Sequence, residues 1–378
     1  MLFLLLIMLG TTIFCGFIIG LTPIISRKEM VFGVILPEKS LEEPIVKKSK
    51  KAYFLVVFLL SLIICIPMFF FLHGNDESGM NGLAIYSSVA LILFCVVSYF
   101  IYFYYRKKIM AFKKTIPYTF IEEQQQAIVV STTFDRGQTI VSNGWMVGIN
   151  LVLILATILL PVIFYGQIPA QVPTHWGTDG VNAVTDKSIG LFMQMPFIQL
   201  ILLVVMVVVN YSIKITKQRL DPDNPEKSKR QNIAFRRAMS RMIFWIAIAS
   251  SLMFLVIQAM MVFNIHSTWM VWVATGIILI PSIGGSIYIM MRYGQGGQRL
   301  KSKGNHSSGE KQTVNGYDDD KNWIGGLIYY NPKDPALWVE KRFGLGMTIN
   351  MGIPKGKWLA IGTLVLIVLL TVIPFLLR

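Results

Sequence analysis

Gly166 to Ser188 reads GQIPAQVPTHWGTDGVNAVTDKS, and the topology of the whole chain turns on where this segment lies. It is the longest polar stretch that carries almost no Lys or Arg. Four long apolar runs precede it and four follow it. Its centre, Pro173-Thr174-His175-Trp176-Gly177, is the most distinctive polar motif on its side of the chain.

Working outward, the flanking runs read as membrane spans. Hydrophobic residues make up 54% of the 378 and charged residues only 15%, against about 25% charged in a soluble domain. The apolar excess is gathered into uncharged runs of the length a bilayer needs, about 20 residues each. The sequence predicts eight spans, at 1–25, 53–72, 82–105, 145–165, 189–213, 242–263, 269–291 and 358–377. Backbone groups in lipid must pair within their own segment, so the spans are helices. The expected fold is an all-α integral membrane protein, an eight-helix transmembrane bundle with a small cytosolic lobe containing short β-strands.

Charge sets the expected orientation. Of the 35 Lys and Arg residues, only Lys187 and Arg378 fall on one side of these spans. The rest occupy the loops 26–52, 106–144 and 214–241 and the segment 292–357. By the positive-inside rule those segments are cytosolic, 166–188 is an outer loop, and both termini lie outside a bacterial plasma membrane. The net charge of +15 therefore marks topology and contact with anionic lipid, and nucleic acid is not an expected partner. The N-terminal run lacks a basic n-region and a cleavage site, which predicts a retained helix. Cys15, Cys65 and Cys95 all sit in apolar runs, an odd count without a CxxC pair. They are expected to be buried free thiols.

The cytosolic segments are uneven. Ala127–Phe134 is β-like, and Leu220–Lys229 is a turn-rich stretch. Gln231–Arg241 is placed to continue helically into the sixth span. Residues 292–313, rich in Gly, Ser and Lys, read as a flexible linker. Residues 314–357 read as the lobe, with strands at Leu327–Tyr330 and Met347–Asn350 and a turn at Asn331–Pro335. So small a lobe should pack on other loops or on the membrane. Asp318-Asp319-Asp320 reads as a solvated charge run.

The chemistry is sparse. By these boundaries no ionisable side chain lies within a span, although Asn150, Gln194, Gln199, Asn210 and Gln258 do. Interhelical hydrogen bonding is the expected use of those amides. HExxH, GxSxG and P-loop patterns are absent. The paired acid Glu122-Glu123 has no nearby histidine and reads as solvated surface. His73, His175 and His266 fall one to each outer loop and are weak candidates for a metal site. In the loop 166–188, prolines and glycines restrict and turn the chain around His175, Trp176, Asp179, Asp186 and Lys187. Those five are the candidate ligand-binding residues of an ordered lid. In the lobe, Trp323, Tyr329, Tyr330, Asp334 and Arg342 are the candidates for binding a protein partner. No cofactor is expected.

The PTHWG stretch resembles the outer-loop pattern P-x-H-W-x-x-x-G of the membrane domain of sporulation-delaying-toxin immunity proteins. Pro173, His175, Trp176, Gly180 and Lys187 fit it. Lys28–Pro37, KEMVFGVILP, is similar to an FGVRxP turn of related proteins, with Ile35 in place of the Arg. The tail NWIGGLIYYNPKDPALWVEKRFGLGMTINMG resembles a second domain of unknown function in Gram-positive membrane proteins. The combination implies an uncharacterised Gram-positive membrane protein family distinct from the immunity proteins. For the immunity family the implied roles are protection from a toxin and capture of a cytosolic repressor.

The leading expectation is a non-enzymatic immunity or sensor protein that meets an extracellular peptide or envelope stress and docks a cytosolic protein partner. Membrane lipid is the remaining expected partner. A transporter or permease subunit and an outer-interface enzyme using His175 stand as alternatives.

Overall fold

A computed structural model of the chain describes residues 2–27, 29–73, 77–117, 139–177, 180–217, 225–300, 319–342 and 346–376. The β-like run 127–134, Glu122-Glu123, Asp179, most of the linker 292–313 and the first part of the 220–229 stretch lie outside the described residues. Among the described residues, seven helices are long and apolar enough to cross a membrane. The eighth expected span, 358–377, falls in the helix Pro354–Leu376, which is not among those seven. Along the helices, large apolar side chains such as Phe70, Ile92, Phe100, Val162 and Ile280 face outward. A surface of that kind suits lipid as its solvent. The protein is a multi-pass membrane protein.

The chain divides into two compact units. The first holds residues 1–130, 217–228 and 302–378. It contains α1 (Leu2–Ile25), α2 (Pro44–Cys65), α3 (Glu77–Thr115) and α4 (Pro354–Leu376). On α2 the buried residues Val46, Ser49, Tyr53, Val57, Ser61 and Cys65 recur every three or four positions, which is one helix face. That face receives α1 at the pair Gly16-x-x-x-Gly20. A Cβ on Gly16 would overlap the Ser61 side chain, and one on Gly20 would lie 3.0 Å from the Phe54 ring. Small residues four apart let two backbones approach closely where no hydrophobic drive between helices exists.

Several expected boundaries shift, each for a local reason. Helix α2 begins at Pro44, well before residue 53, because proline suits the first helical position. It then tightens into a 3₁₀ segment at Ile66–His73, where Pro67 has no N–H to give. Helix α3 runs past 105 to Thr115, since its basic end needs no bilayer to stay helical. The 26–52 loop is not featureless. Strands β1 (Met30–Val31) and β2 (Val34–Ile35) form a tight hairpin. Its two turn residues, Phe32 (φ 50°) and Gly33 (φ 68°), both have positive φ. That is the turn whose twist matches paired strands.

The C-terminal lobe belongs to this unit and carries both expected strands, together with two that the sequence reading did not place. Strand β5 (Trp323–Ile324) pairs with β6 (Ile328–Tyr329), and β7 (Trp338–Glu340) with β8 (Met347–Ile349). A bridge between Tyr329 and Asn350 joins the two hairpins.

The second unit holds residues 131–216 and 229–301. Its helices are α5 (Asn143–Phe164), α6 (Ile189–Ile215), α7 (Pro225–Val262, whose residues 225–228 count with the first unit), α8 (Thr268–Leu279) and α9 (Gly285–Arg292). Helix α7 is continuous from Pro225, so the expected extension through 231–241 is present and longer. The last two helices are joined by a π-helical turn at Ile280–Gly284 containing Pro281, a common accommodation of proline within a helix. Buried Met146, Asn150, Ile154, Thr157 and Pro161 form the seam of α5, and Phe192, Pro196, Gln199 and Leu203 that of α6. A spacing of three and four keeps each set on one helix face.

Three further corrections belong here. The 166–188 segment, read as an ordered loop without strands, is a β-hairpin. Strands β9 (Gln171–Gly177) and β10 (Gly180–Asp186) pair antiparallel from Gln171↔Asp186 to Gly177↔Gly180. Residues 294–300, read as linker, are ordered: Arg299 N–H donates to Tyr293 O and Gln231 Nε2 to Leu300 O. Gly297 sits so close to the Gln231 backbone that no larger side chain fits. Cys95 is exposed on α3, whereas Cys65 is buried and Cys15 half-buried.

Gly16→Leu should destabilise the chain by about 1–3 kcal/mol, the usual cost of overpacking. Gly10→Leu has open space around it and serves as the control. Thermal unfolding in detergent should lower the midpoint for the first substitution and leave the second near wild type.

Candidate functional site

Two places gather the residues that the sequence singled out, one in each unit. The hairpin β9–β10 is the first. Its base is fixed by Lys187, whose N–H donates to Ala170 O and whose Nζ donates to Tyr165 O and Ile168 O. These carbonyls follow the end of α5, where orphan acceptors favour a cation. The same ammonium lies 4.7 Å from the Tyr165 ring centre. Trp176 fixes the other end by donating its indole N–H to Ile265 O at 2.9 Å. Val172 and Ile168 are buried with Phe192, Met261 and Val262 beneath the hairpin.

Register irregularities between Pro173 and Trp176 re-aim the motif. Pro173 is buried, Trp176 is half-buried, and His175 is exposed. Of the five candidates, Trp176 and Lys187 are therefore committed to holding the hairpin. His175 and Asp186 are exposed, and Asp179 lies outside the described residues. Strand β10 is exposed from Asn182 to Asp186 and has no second strand neighbour among the described residues.

Among the described residues no metal cluster forms around the outer histidines. His266 is exposed, the side chain of His73 lies outside the described residues, and no three His, Cys, Asp or Glu stand together among those described.

The second place is the ionic core of the C-terminal lobe. Arg342 is fully buried and pairs with both Asp319 and Asp320. Its Nη1 also donates to Gly33 O at 2.7 Å. Lys113 of α3 reaches the other oxygen of Asp320 at 2.7 Å. Asp319 and Asp320 are thus ion-pair partners of the core, not a solvated run; Asp318 is outside the described residues. Nearby, Arg27 pairs with Glu340 and lies 3.8 Å from Glu29. The guanidinium of Arg342 lies 5.1 Å from the Trp323 ring centre, a cation–π distance.

The Asn331–Pro335 turn closes as expected, with Asn331 Oδ1 accepting from Lys333 N–H. Asp334 accepts from Lys217 Nζ, Tyr329 Oη and Ala336 N–H. Burial pushes its carboxyl up, but the bonds from Lys217, Ala336 and Tyr329 outweigh that and hold it below the ordinary range. Burial pushes the Tyr329 phenol up. Of the five residues expected to bind a partner, Trp323, Tyr329, Asp334 and Arg342 are buried and engaged within the first unit. Tyr330 alone is exposed.

Both places fall where known families match. Residues 152–200 match a domain of unknown function, DUF1648. Residues 332–357 match a family of unknown function, DUF5808. The first match spans the whole hairpin with parts of α5 and α6; the second takes in Asp334 and Arg342. No curated protein matches the chain, and no solved structure does.

In the second unit the buried amides Asn150, Gln199, Asn210 and Gln258 donate to a neighbouring element or to their own helix. Gln199 Nε2 donates to Thr157 Oγ1 and Ser251 O. Asn150 accepts from Ser251 Oγ and donates to Met146 O. Asn210 joins Val141 O, Asn143 and Ser240. Gln258 Nε2 donates to Phe192 O at 3.2 Å, the carbonyl four residues before Pro196 that proline leaves without its helical donor. Gln194 is exposed. The sequence carried a signal for this last bond, a proline in one span and a glutamine in another, but not their pairing.

Arg342→Met should destabilise the lobe by about 3–5 kcal/mol, because Asp319 and Asp320 lose their shared buried guanidinium and Asp320 keeps Lys113 as its cation. Limited proteolysis of the full chain should cut the lobe sooner. For Asp334, a folded pKa below the unfolded value means that its stabilisation is present above the ordinary Asp pKa of about 3.9. It is lost as pH falls through the lower folded value. Asp334→Asn should flatten the acid limb of stability measured from pH 6 downward.

Proposed function

We propose that the protein is a non-enzymatic immunity or sensor protein whose β9–β10 hairpin meets an extracellular peptide. We further infer eight spans in a bacterial plasma membrane, with both termini and the hairpin outside and the basic segments in the cytosol. The positive-inside distribution of Lys and Arg supports that orientation.

The observation that carries the reading is the open strand β10 on a pinned hairpin. Lys187 and Trp176 hold the frame, so the exposed strand is presented in one geometry. An exposed edge offers unpaired backbone groups to an extended peptide, which can add as a third strand. The side chains beside it, His175, Thr174 and Asp186, supply polar contacts. The segments assigned outside carry four acids, Asp76, Glu77, Asp179 and Asp186, against the two basic residues Lys187 and Arg378, a balance that favours a cationic peptide. The likeness of PTHWG to the immunity-protein loop points the same way. The cytosolic partner is assigned to the lobe, where Tyr330 is exposed.

The transport reading draws on Asn150, Gln199 and Gln258, but Gln199 and Gln258 donate to neighbouring helices, and Asn150 donates within its own helix and accepts from Ser251 Oγ. Static stapling is the simpler use of such groups.

Cells lacking the gene should be more sensitive to secreted cationic peptides, and wild-type protein should restore resistance. His175→Ala with Asp186→Ala should restore it poorly while reaching wild-type membrane levels. Unchanged sensitivity across a broad peptide panel would remove the proposal.

A further inference from the structure

The β5–β6 hairpin of the lobe shows an unusual distribution of side chains. Trp323 and Tyr329 point into the lobe and are buried. Ile324, Leu327 and Ile328 point away and are 58%, 36% and 47% exposed. Three large aliphatic side chains on one seven-residue hairpin form a patch without a polar neighbour in sequence, since Gly325 and Gly326 separate them. Both glycines have positive φ, and Leu327 N–H closes the turn onto Ile324 O.

The hairpin's position along α3 says what covers the patch. A Cβ on Gly325 would overlap Tyr99 Oη, and one on Gly326 would lie 2.9 Å from Arg106 Nη1 and 3.2 Å from Tyr102 Oη. The turn therefore sits on the Tyr99–Tyr102–Arg106 face of α3. The exposed surface of α3 changes character just there. Val96, Val97, Phe100 and Tyr104 are exposed on one side, Lys107 and Lys108 on the other. Tyr99 precedes Lys107 by eight positions, about 12 Å at 1.5 Å per residue, and helical side chains lean further toward the N-terminus. Gly325 is accordingly level with the apolar surface of α3, not with its lysines.

A second helix gives the same level independently. Tyr330, next to the patch, lies 5.9 Å from Lys357 Nζ. Lys357 stands at the start of α4, beside the exposed Trp358 and just before its apolar run. Trp and Lys at such a place mark the boundary between headgroups and acyl chains.

We propose that the β5–β6 hairpin is a membrane-inserted wedge. Ile324, Leu327 and Ile328 lie among the acyl chains just below the headgroups, and Lys107, Lys108, Lys355 and Lys357 meet anionic lipid above them. The lobe is thereby held by the bilayer as well as by its ionic core. The wedge needs only the membrane placement of α3 and α4; it stands whether or not a peptide binds elsewhere.

The test is depth measurement by spin labelling of the full chain in vesicles containing anionic lipid. With Cys15, Cys65 and Cys95 replaced by alanine, single labels are placed at Ile328, at Phe100 on α3 and at Lys333 on the neighbouring turn. The Ile328 label should favour oxygen over a water-soluble nickel chelate, as the Phe100 label does, while the Lys333 label favours the chelate. A label at Ile328 that behaves like the one at Lys333 would overturn the wedge. If the cysteine-free chain does not fold, a benzophenone amino acid at Ile328 of the otherwise native chain reads the same contact. Photocrosslinking to lipid is expected; crosslinking to a second copy, or to nothing, overturns it.

Discussion

A buried cation must be met by charge or by carbonyl oxygen, and in the first unit that demand organises nearly everything else. Arg342 takes in Asp319 and Asp320 and then reaches Gly33 O, so one guanidinium joins the lobe to the β1–β2 hairpin. Arg106 does the converse from α3, donating to Phe32 O with Trp323 O at 3.5 Å. Two turns with positive φ, at Phe32-Gly33 and Gly325-Gly326, come together there because glycine leaves room for the guanidinium and the Tyr102 hydroxyl. The ring cluster of Phe32, Tyr53, Tyr102 and Tyr105 packs beside this contact. Removing water from so many charges is costly, and such a core contributes more to a unique arrangement than to net stability.

The second unit solves a related problem with single cations at helix ends. Lys187 satisfies carbonyls beyond α5, Arg236 on α7 satisfies Ile213 O and Thr216 O at the end of α6, and Arg299 reaches Met290 O at the end of α9. Each binds the negative end of a helix dipole. In lipid or at its edge, an unmet carbonyl costs more than in water, which explains why three helix ends each hold a long basic side chain.

The helices were legible because their signal is long and one-dimensional. Uncharged runs such as 145–165 and 189–213 reappear within α5 and α6 almost unchanged. The strands Leu327–Tyr330 and Met347–Asn350 were legible from β-branched and aromatic residues between turn formers. The β9–β10 hairpin was not, because prolines at 169 and 173 and glycines at 177 and 180 pointed to an ordered loop without strands, while the pairing of Val172 with Thr185 is visible only in space. The ionic core escaped for a stronger reason. Asp320 meets Lys113 across 207 positions and Gly33 O meets Arg342 across 309, and no local pattern distinguishes an acid with such a partner from one in water. The same limit applies to the candidate residues. Composition found His175 and Trp176 together, but only the bond to Ile265 O separates the anchor from the exposed group.

The bond from Gln258 to Phe192 O ties the freedom of two distant positions together. Losing the proline alone would let an amide N–H at 196 compete for that oxygen and leave a buried glutamine idle. Losing the glutamine alone would leave a carbonyl bare in an apolar bundle. A lineage can cross from this arrangement to an ordinary helix only by changing both, so Pro196 and Gln258 should be inherited or lost as a unit.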